Sequence, residues 1–328
     1  MNRPVTRKPS HFITPEKASH HAEILSNRVV NRYRHFSRKY KRQNIDCFRL
    51  YDWDIPEVRA VVDWYAGHVV IAEYERLQTG TEWLPTMAKA VAQALNIPPE
   101  KTHIKRRRTN TKEGPRYNKM GSQGKRFEVN ERDLKFWVNL DDFLDTGLFS
   151  DHRDTRVIIK DLAKGKDVLN LFAYTGAFTC AAAAGGAKST TTVDRSETYL
   201  KWAKDNLALN GLWSAKHEIV QSDVNRFLEK AYKERRRFNL VVIDPPSFFQ
   251  DQNNEIEFDI NRDHPELIKN VLRIMSPGAT VFFSANHQRF EPQMDIPMAR
   301  NIIELTPKTI PEDYRNRKIH RCWRMTAV

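Results

Sequence analysis

From about residue 154 onward, short apolar runs alternate with longer amphipathic stretches, the rhythm of sheet strands followed by covering helices. The clearest unit is Val168-Leu-Asn-Leu-Phe172, which meets a Thr175-Gly176 turn and then the small residues Ala177 to Ala184. That order predicts a strand, a tight turn and a helix. Three further apolar runs each end in an acid: Thr190-Thr-Thr-Val-Asp194, Ile219-Val-Gln-Ser-Asp223 and Leu240-Val-Val-Ile-Asp244. Counted from Asn170, the polar tips lie 24, 29 and 21 residues apart, which is the spacing of βα repeats. Intervening helices are predicted over 157–163, 199–210, 224–234 and 265–275. Ser196 is the expected N-cap of the second and Gly211 its stop, and Pro277-Gly278 ends the fourth before a strand at 279–284. The pattern is that of an α/β, doubly wound sheet over 141–328.

The first 140 residues have a different period. Ile24, Leu25, Val29, Tyr33, Phe36 and Tyr40 recur at helical spacing within 16–43, with Arg28, Arg32, Arg34, Arg38, Lys39, Lys41 and Arg42 on the remaining faces. Residues 1–44 are therefore expected to be a basic tail and helix. Strands are predicted over 47–51, 60–65 and 68–74, the last two joined as a hairpin at Ala66-Gly67. A helix over 84–95 follows, stopped by Asn96 and Pro98-Pro99, and then strands over 102–108 and 125–140. Residues 45–140 thus read as a small α+β domain. Between its last strands runs a basic, glycine-containing loop. Arg106, Arg107, Arg108, Arg116, Lys119, Lys125 and Arg126 would meet phosphates there, and Tyr117 would stack on a base.

Charge sharpens this picture. The chain has 328 residues and a net charge of +13. Residues 1–150 carry 27 basic against 18 acidic side chains, or +9, and the rest 27 against 23, or +4. A polyanion, nucleic acid first, is the expected partner of the N-terminal part, with Arg38, Lys39, Lys41 and Arg42 at the end of the basic helix meeting it. No run of 18 apolar residues occurs, so no membrane span is expected. The N-terminus lacks the apolar stretch of a secretory signal. Three scattered cysteines suggest neither a disulfide framework nor a metal site, and point to a reducing cytoplasm.

Ligands of doubly wound sheets bind beyond the carboxyl ends of the strands. A dinucleotide there needs a glycine-rich turn, but this turn has one glycine, Gly176, ringed by Phe172, Tyr174 and Phe178. Such a turn suits a phosphate-free nucleoside cofactor, S-adenosylmethionine. Asn170, Phe172, Tyr174, Thr175 and Gly176 would face its methionine end, Asp194 its ribose, and Asp223 its adenine amino group. Asp244-Pro245-Pro246-Ser247-Phe248 forms a rigid rim where a planar base could lie beside the methyl group, with Phe248 or Phe249 stacking. Single acids at strand ends also serve as helix N-caps, so the set carries the reading.

The chain resembles class I S-adenosylmethionine-dependent RNA methyltransferases. It is most similar to the C-terminal half of the bifunctional 23S ribosomal RNA methyltransferase K/L family, which methylates guanine N7. The matching stretches are Ile45-Asp-Cys-Phe-Arg-Leu-Tyr-Asp52, Trp137-Val-Asn-Leu140, Asp145-Thr-Gly-Leu-Phe-Ser-Asp-His-Arg153, Leu169-Asn-Leu-Phe-Ala-Tyr-Thr-Gly176, Ser189-Thr-Thr-Thr-Val-Asp194, Asn206 with Leu209-Asn-Gly-Leu212, Ile243-Asp-Pro-Pro246, Arg262-Asp-His264 and Ile319-His-Arg-Cys-Trp323. The resemblance implies a Rossmann-like class I methyltransferase sheet behind a smaller N-terminal α+β domain. It implies S-adenosylmethionine as cofactor, 23S ribosomal RNA, naked or in a pre-ribosomal particle, as partner, and no metal. It also places Phe149, Asp151 and Arg153 in the cofactor site. The relatives carry an additional N-terminal half that this chain lacks, so targeting would fall to its own basic surface.

Guanine N2, cytosine C5 and adenine N6 are the other candidate atoms. A non-catalytic RNA-binding assembly factor and a nicotinamide oxidoreductase are alternatives of other classes. C5 chemistry needs an attacking thiolate, and no cysteine flanks Asp244-Pro-Pro. Exocyclic amines usually pair this motif with an aromatic fourth residue, which here is Ser247. His152, His264, His287 and His320 are scattered along the chain and read as structural or phosphate-contacting.

Overall fold

The computed structural model describes residues 12–74, 76, 78–107, 121, 124–250 and 257–328. The chain forms two compact units. The first takes residues up to 123 together with Leu140–Leu144, and the second takes Gly124–Asn139 and Asp145–Val328. No described helix is long and apolar enough to cross a membrane.

In the first unit, helix α1 (Pro15–Arg42) starts where the Thr14 hydroxyl accepts from the Lys17 amide with Pro15 in the first turn, and its basic residues gather in the last turn. Its apolar stripe is buried: Leu25, Val29, Phe36 and Tyr40 enter one core with Phe48, Leu50, Val62, Ile71 and Trp83. That core is closed by strands β1 (Cys47–Asp52), β2 (Ala60–Tyr65), β3 (His68–Tyr74), helix α2 (Trp83–Leu95) and strand β4 (Thr102–Arg107), with the sheet ordered β1-β2-β3-β4. The expected separation of residues 1–44 from the strands is therefore corrected, because the face of α1 is one wall of that core.

The second unit begins with a hairpin, β5 (Phe127–Glu131) and β6 (Leu134–Val138). The segment 125–140, expected as strand within the N-terminal domain, forms two paired strands and belongs to the second unit. Arg132 takes a left-handed φ of 61° and folds the segment back on itself. The hairpin then docks on the helix Glu197–Leu209 and its C-cap: the Lys135 and Trp137 amides donate to Asn210 and Asn206, and the Trp202 indole donates to the Trp137 carbonyl.

Then follow α3 (Arg153–Leu162), β7 (Asp167–Leu171), α4 (Ala177–Ala184), β8 (Ser189–Asp194), α5 (Glu197–Leu209), β9 (His217–Gln221), α6 (Val224–Lys233), β10 (Phe238–Ile243), β11 (Phe248–Gln250), β12 (Glu257–Asp259), α7 (Ile260–Leu272), β13 (Met275–Ala285), β14 (Ala299–Glu304), α8 (Thr306–Thr309) and β15 (Arg321–Ala327). Seven strands make one sheet, ordered β14-β15-β13-β10-β7-β8-β9, parallel from β13 to β9 and antiparallel at β15. Helix α7 starts before Pro265, because the Asp259 carboxylate accepts from the Asn261 amide and caps it there. Pro277-Gly278 does not precede the next strand but lies inside β13, where the pairing register slips between Phe238 and Leu240. The chain winds one way from β7 to β9 and the other way from β10 to β13. The switch point therefore lies between β7 and β10, and a crevice beyond their carboxyl ends is dictated by the topology.

Candidate active site

The turn leaving β7 is strained. Phe172, Tyr174 and Gly176 all take left-handed φ values, of 55°, 50° and 73°. A Cβ on Gly176 would stand 2.6 Å from the Ala203 Cβ, so only glycine fits there. Asp194, at the tip of β8, holds this turn. Its carboxylate accepts the Tyr174 amide (2.9 Å) and the Ser196 amide (2.9 Å). Burial pushes its carboxyl above the ordinary range, and the same amides oppose that shift. Tyr174 is set between Phe149 and Tyr199, with ring centroids 5.1 and 4.5 Å away. Phe149 is the most open of these rings, at 40 % exposure.

Several expected site residues have other first duties. Asn170 lies inside β7 rather than at its tip. Its amide donates to Thr179 (3.0 Å), while its carbonyl oxygen is buried with no partner among the described residues. The Thr175 hydroxyl donates to the Gly147 carbonyl (2.6 Å), and so ties the β7 turn to the segment ahead of α3. Phe172 packs on Phe258. Asp223 is the N-cap of α6 and accepts the Asn225 and Arg226 amides, the ordinary duty of an acid at a strand end. Arg153, expected in the cofactor site, is held by a partner within the protein. The residue is fully buried and forked onto Asp313, at 3.1 and 3.4 Å. Arg156 does the comparable work at the other end of this segment, donating to both oxygens of Glu131 and to the Phe149 carbonyl.

Asp244 follows β10 directly, on the other side of the switch point. Pro245 is buried, and the Ser247 hydroxyl donates to Asn286 (2.7 Å). Phe248 opens the β11–β12 ribbon and is 48 % exposed, whereas Phe249 lies under the Arg195 guanidinium at 4.2 Å. Beneath Asp244 is a group that sequence order hides. His320 Nδ1 lies 2.9 Å from Asp151 Oδ2, and His152 Nε2 lies 3.5 Å from Asp244 Oδ2. The two imidazoles stack at 4.1 Å with an interplanar angle of 12°. Two of the histidines that are scattered in sequence are thus brought together, each with an acid, and only spatial proximity could have shown it. Burial and then the Asp151 charge push the Asp244 carboxyl up to about 7. Burial pushes both imidazoles below their ordinary value.

The donor atoms of Asp151, His152 and His320 lie within 4.8 Å of one another, a spacing that suits a metal. The stacking argues otherwise. In-plane lone pairs of two parallel rings run in separate planes and do not converge on one ion.

Of the residues expected to meet RNA, Arg38, Lys39, Lys41 and Arg42 are all exposed at the end of α1, and Lys125 is exposed as well. Arg106 is engaged by Glu73 and the Thr81 carbonyl, and Arg126 by Asp205 and the rings of Trp137 and Trp202. Arg107 is half-buried in β4. Arg108, Arg116, Tyr117 and Lys119 lie outside the described residues.

The crevice therefore offers a strained aromatic turn and a carboxylate at the neighbouring strand tip, and in β7 lies the buried amide oxygen of Asn170, without a partner among the described residues. Residues 168–187 contain no lysine or arginine to balance a pyrophosphate. These features fit a nucleoside cofactor without phosphates and define the class I methyltransferase architecture. The chain belongs to the S-adenosylmethionine-dependent methyltransferase family, whose profile matches residues 55–305. It is 40 % identical, over 96 % of its length and 88 % of the relative's, to the ribosomal RNA large subunit methyltransferase K of Neisseria meningitidis serogroup B. Among solved structures, an S-adenosylmethionine-dependent methyltransferase from Streptococcus mutans has the same fold, with a TM-score of 0.73 at 21 % identity over 98 % of this chain and 83 % of that one. So does a complex of aTrm5 with tRNALeu, at 0.53 and 14 %, over all of this chain and 82 % of the other.

Proposed function

We propose that this enzyme methylates N7 of an unpaired or flipped guanine in large-subunit (23S) ribosomal RNA, in the cytoplasm. The observation that carries the substrate class is the 40 % identity across nearly the whole chain to a protein named for large-subunit ribosomal RNA methylation. Bound in the crevice, S-adenosylmethionine supplies an electrophilic methyl group on a sulfonium. Asp194 would accept from the ribose hydroxyls, the Phe172–Gly176 backbone and the amide of Asn170 would meet the methionine end, and Phe149 and Tyr174 would wall the cofactor. Asp151 and Arg153 would act behind them, through His320 and Asp313. Asp223 would keep its capping role while bordering the adenine.

The chemistry of the rim supports N7. That nitrogen attacks with a free lone pair, so no proton must leave first, and the work is alignment of reacting atoms roughly 3–3.5 Å apart. The other atoms need groups that the site lacks. Cytosine C5 needs a thiolate, yet all three cysteines are buried, with the Cys180 and Cys322 thiols pushed up to about 12 by that burial. An exocyclic amine calls for an aromatic fourth rim residue, but Ser247 stands there with its hydroxyl committed to Asn286. Asp244 would accept from guanine N1–H and N2–H, Pro245 and Pro246 would stiffen the ledge, and exposed Phe248 would stack on the base. N7 of a paired guanine faces a deep, narrow groove, so the base must come out of its helix, at a cost of a few kcal/mol. Arg38, Lys39, Lys41, Arg42 and Lys125 would meet the RNA backbone.

The deciding experiment is incubation with tritiated cofactor and total ribosomal RNA, then hydrolysis and identification of the labelled nucleoside. 7-Methylguanosine from the large-subunit RNA is expected. Label in 2-methylguanosine, 5-methylcytidine or 6-methyladenosine overturns the reading.

A further inference from the structure

We propose that His152 is a positioning residue for Asp244, its Nε2–H holding one carboxylate oxygen so that the other is left to meet the base. The proposal rests on the reading of Asp244 as the guanine contact.

The geometry is that of two Asp–His couples stacked one on the other. In the lower couple, Asp151 Oδ2 lies 2.9 Å from His320 Nδ1, and the other nitrogen of that ring is 3.0 Å from the Thr309 hydroxyl. A carboxylate only accepts, so His320 carries a proton on Nδ1. In the upper couple, His152 Nε2 points between the two acids, 3.5 Å from Asp244 Oδ2 and 3.8 Å from Asp151 Oδ2. Its Nδ1 is buried with no partner among the described residues. A neutral ring with one acid side and one bare side places its single hydrogen toward the acids. The ring cannot swing away. His320 lies flat against one face, and Phe178 meets it edge-on at 5.5 Å. At 3.5 Å the approach to Asp244 is long for a hydrogen bond, as such distances commonly are before substrate closes the site.

The ionisable groups around the upper couple come from every neighbouring element: Asp151 beside it, Arg156 from α3, Glu131 from β5, and His320 and Cys322 at the start of β15. Arg156 is neutralised by Glu131, and His320 is tied to Asp151. The donor within reach of Asp244 in this group is His152. A donor favours the charged carboxylate, so removing it raises the pH at which Asp244 ionises.

Two measurements test this. The first is nitrogen-15 NMR of labelled histidines in the intact wild-type protein and in Asp244→Asn. His152 is expected as the neutral Nε2–H tautomer at pH 7, with a resonance that follows Asp244 ionisation in the wild type and stays flat in Asp244→Asn. An imidazolium, an Nδ1–H tautomer, or the same titration in both proteins overturns the proposal. The second is kinetics of His152→Leu and His152→Gln. The leucine variant is expected to lose about 100-fold in kcat, with cofactor KM unchanged and the acid limb of the pH profile moved up. Glutamine, whose amide can replace the Nε2–H, is expected to recover most of it. A leucine variant with wild-type kcat and pH profile, or a glutamine variant no better than leucine, overturns the proposal. If the labelled nucleoside is not 7-methylguanosine, the proposed substrate atom fails while the NMR result stands.

Discussion

Asp244 is kept at the expense of stability, and that cost is measurable. The Asp244→Asn variant keeps the shape and removes the charge. Raising a carboxyl from its ordinary 3.8 to about 7 corresponds to roughly 4 kcal/mol at full value, at about 1.4 kcal/mol per pH unit. The side chain is still 21 % exposed and shares its surroundings with Asp151, so about half of that, ~2 kcal/mol, is the expected effect. The sign follows from proton counting. Below pH 3.8 both folded and unfolded chains hold the proton, and wild type and variant have similar stability. Between about 4 and 7 the unfolded chain releases the proton while the folded one keeps it, so wild type loses stability as pH rises. Above about 7 the folded carboxyl ionises in its buried place and the full difference is reached. Asp244→Asn escapes this loss. Thermal unfolding followed at pH 5, 6, 7 and 8 should therefore show the variant gaining on wild type with pH, by about 4–8 °C in Tm at pH 8. Its methyl transfer should be nearly abolished while cofactor affinity in calorimetry changes much less. A Tm difference independent of pH, or a variant less stable than wild type at pH 8, would refute the account of this carboxyl.

The remaining predictions concern the supports of the crevice and the RNA surface. Gly176→Ala puts a Cβ 2.6 Å from Ala203 at a φ of 73°, and should cost about 2–3 kcal/mol in denaturant unfolding together with most cofactor binding. Arg153→Met removes the buried guanidinium forked onto Asp313, and should cost about 3–5 kcal/mol by the same measurement. Thr175→Val cuts the tie to the Gly147 carbonyl, and should lower stability by about 1–2 kcal/mol, with a weaker cofactor Kd in calorimetry. Replacing Arg38, Lys41 and Arg42 by glutamine should weaken ribosomal RNA binding without altering the melting of the protein. The slope of log affinity against log salt should become shallower by about 0.7 for each phosphate that is no longer neutralised. An unchanged slope would remove the end of α1 from the RNA surface.

The parts of this molecule that were legible in its sequence are those governed by short-range rules. Val168-Leu-Asn-Leu-Phe172 reads as a strand, because a parallel strand buried on both faces is a mainly apolar run, and Gly176 reads as a turn, because its backbone demands a residue without a Cβ. Asp194 at a strand tip follows from the same rhythm. Where a local signal had two physical outcomes, the sequence pointed to the wrong one or to both. Lys125 to Leu140 has the apolar alternation of one strand, but Arg132 turns left-handed and makes a hairpin that is held by asparagines 69 and 75 residues away. Asp223 and Asp194 look alike in the chain. One caps a helix and the other braces a turn, and only the course of the following backbone separates them.

The tier beneath Asp244 was illegible for a stronger reason. Asp151 and His320 are separated by 169 residues, and the antiparallel entry of β15 between β13 and β14 is what carries His320 to the carboxyl ends of the parallel strands. No periodicity announces that insertion, since β14 is exposed at most positions and carries no strand-like alternation. Yet the insertion decides the electrostatics of the rim. A sheet ending at β13 would leave Asp151 without its histidine and His152 without a face to stack on. Asp244 would then stand over a buried carboxylate that had lost this imidazole, an arrangement that like-charge repulsion and desolvation disfavour together. The two C-terminal strands therefore do more than cover the sheet edge: they supply the imidazole that lets two acids share the floor of one crevice.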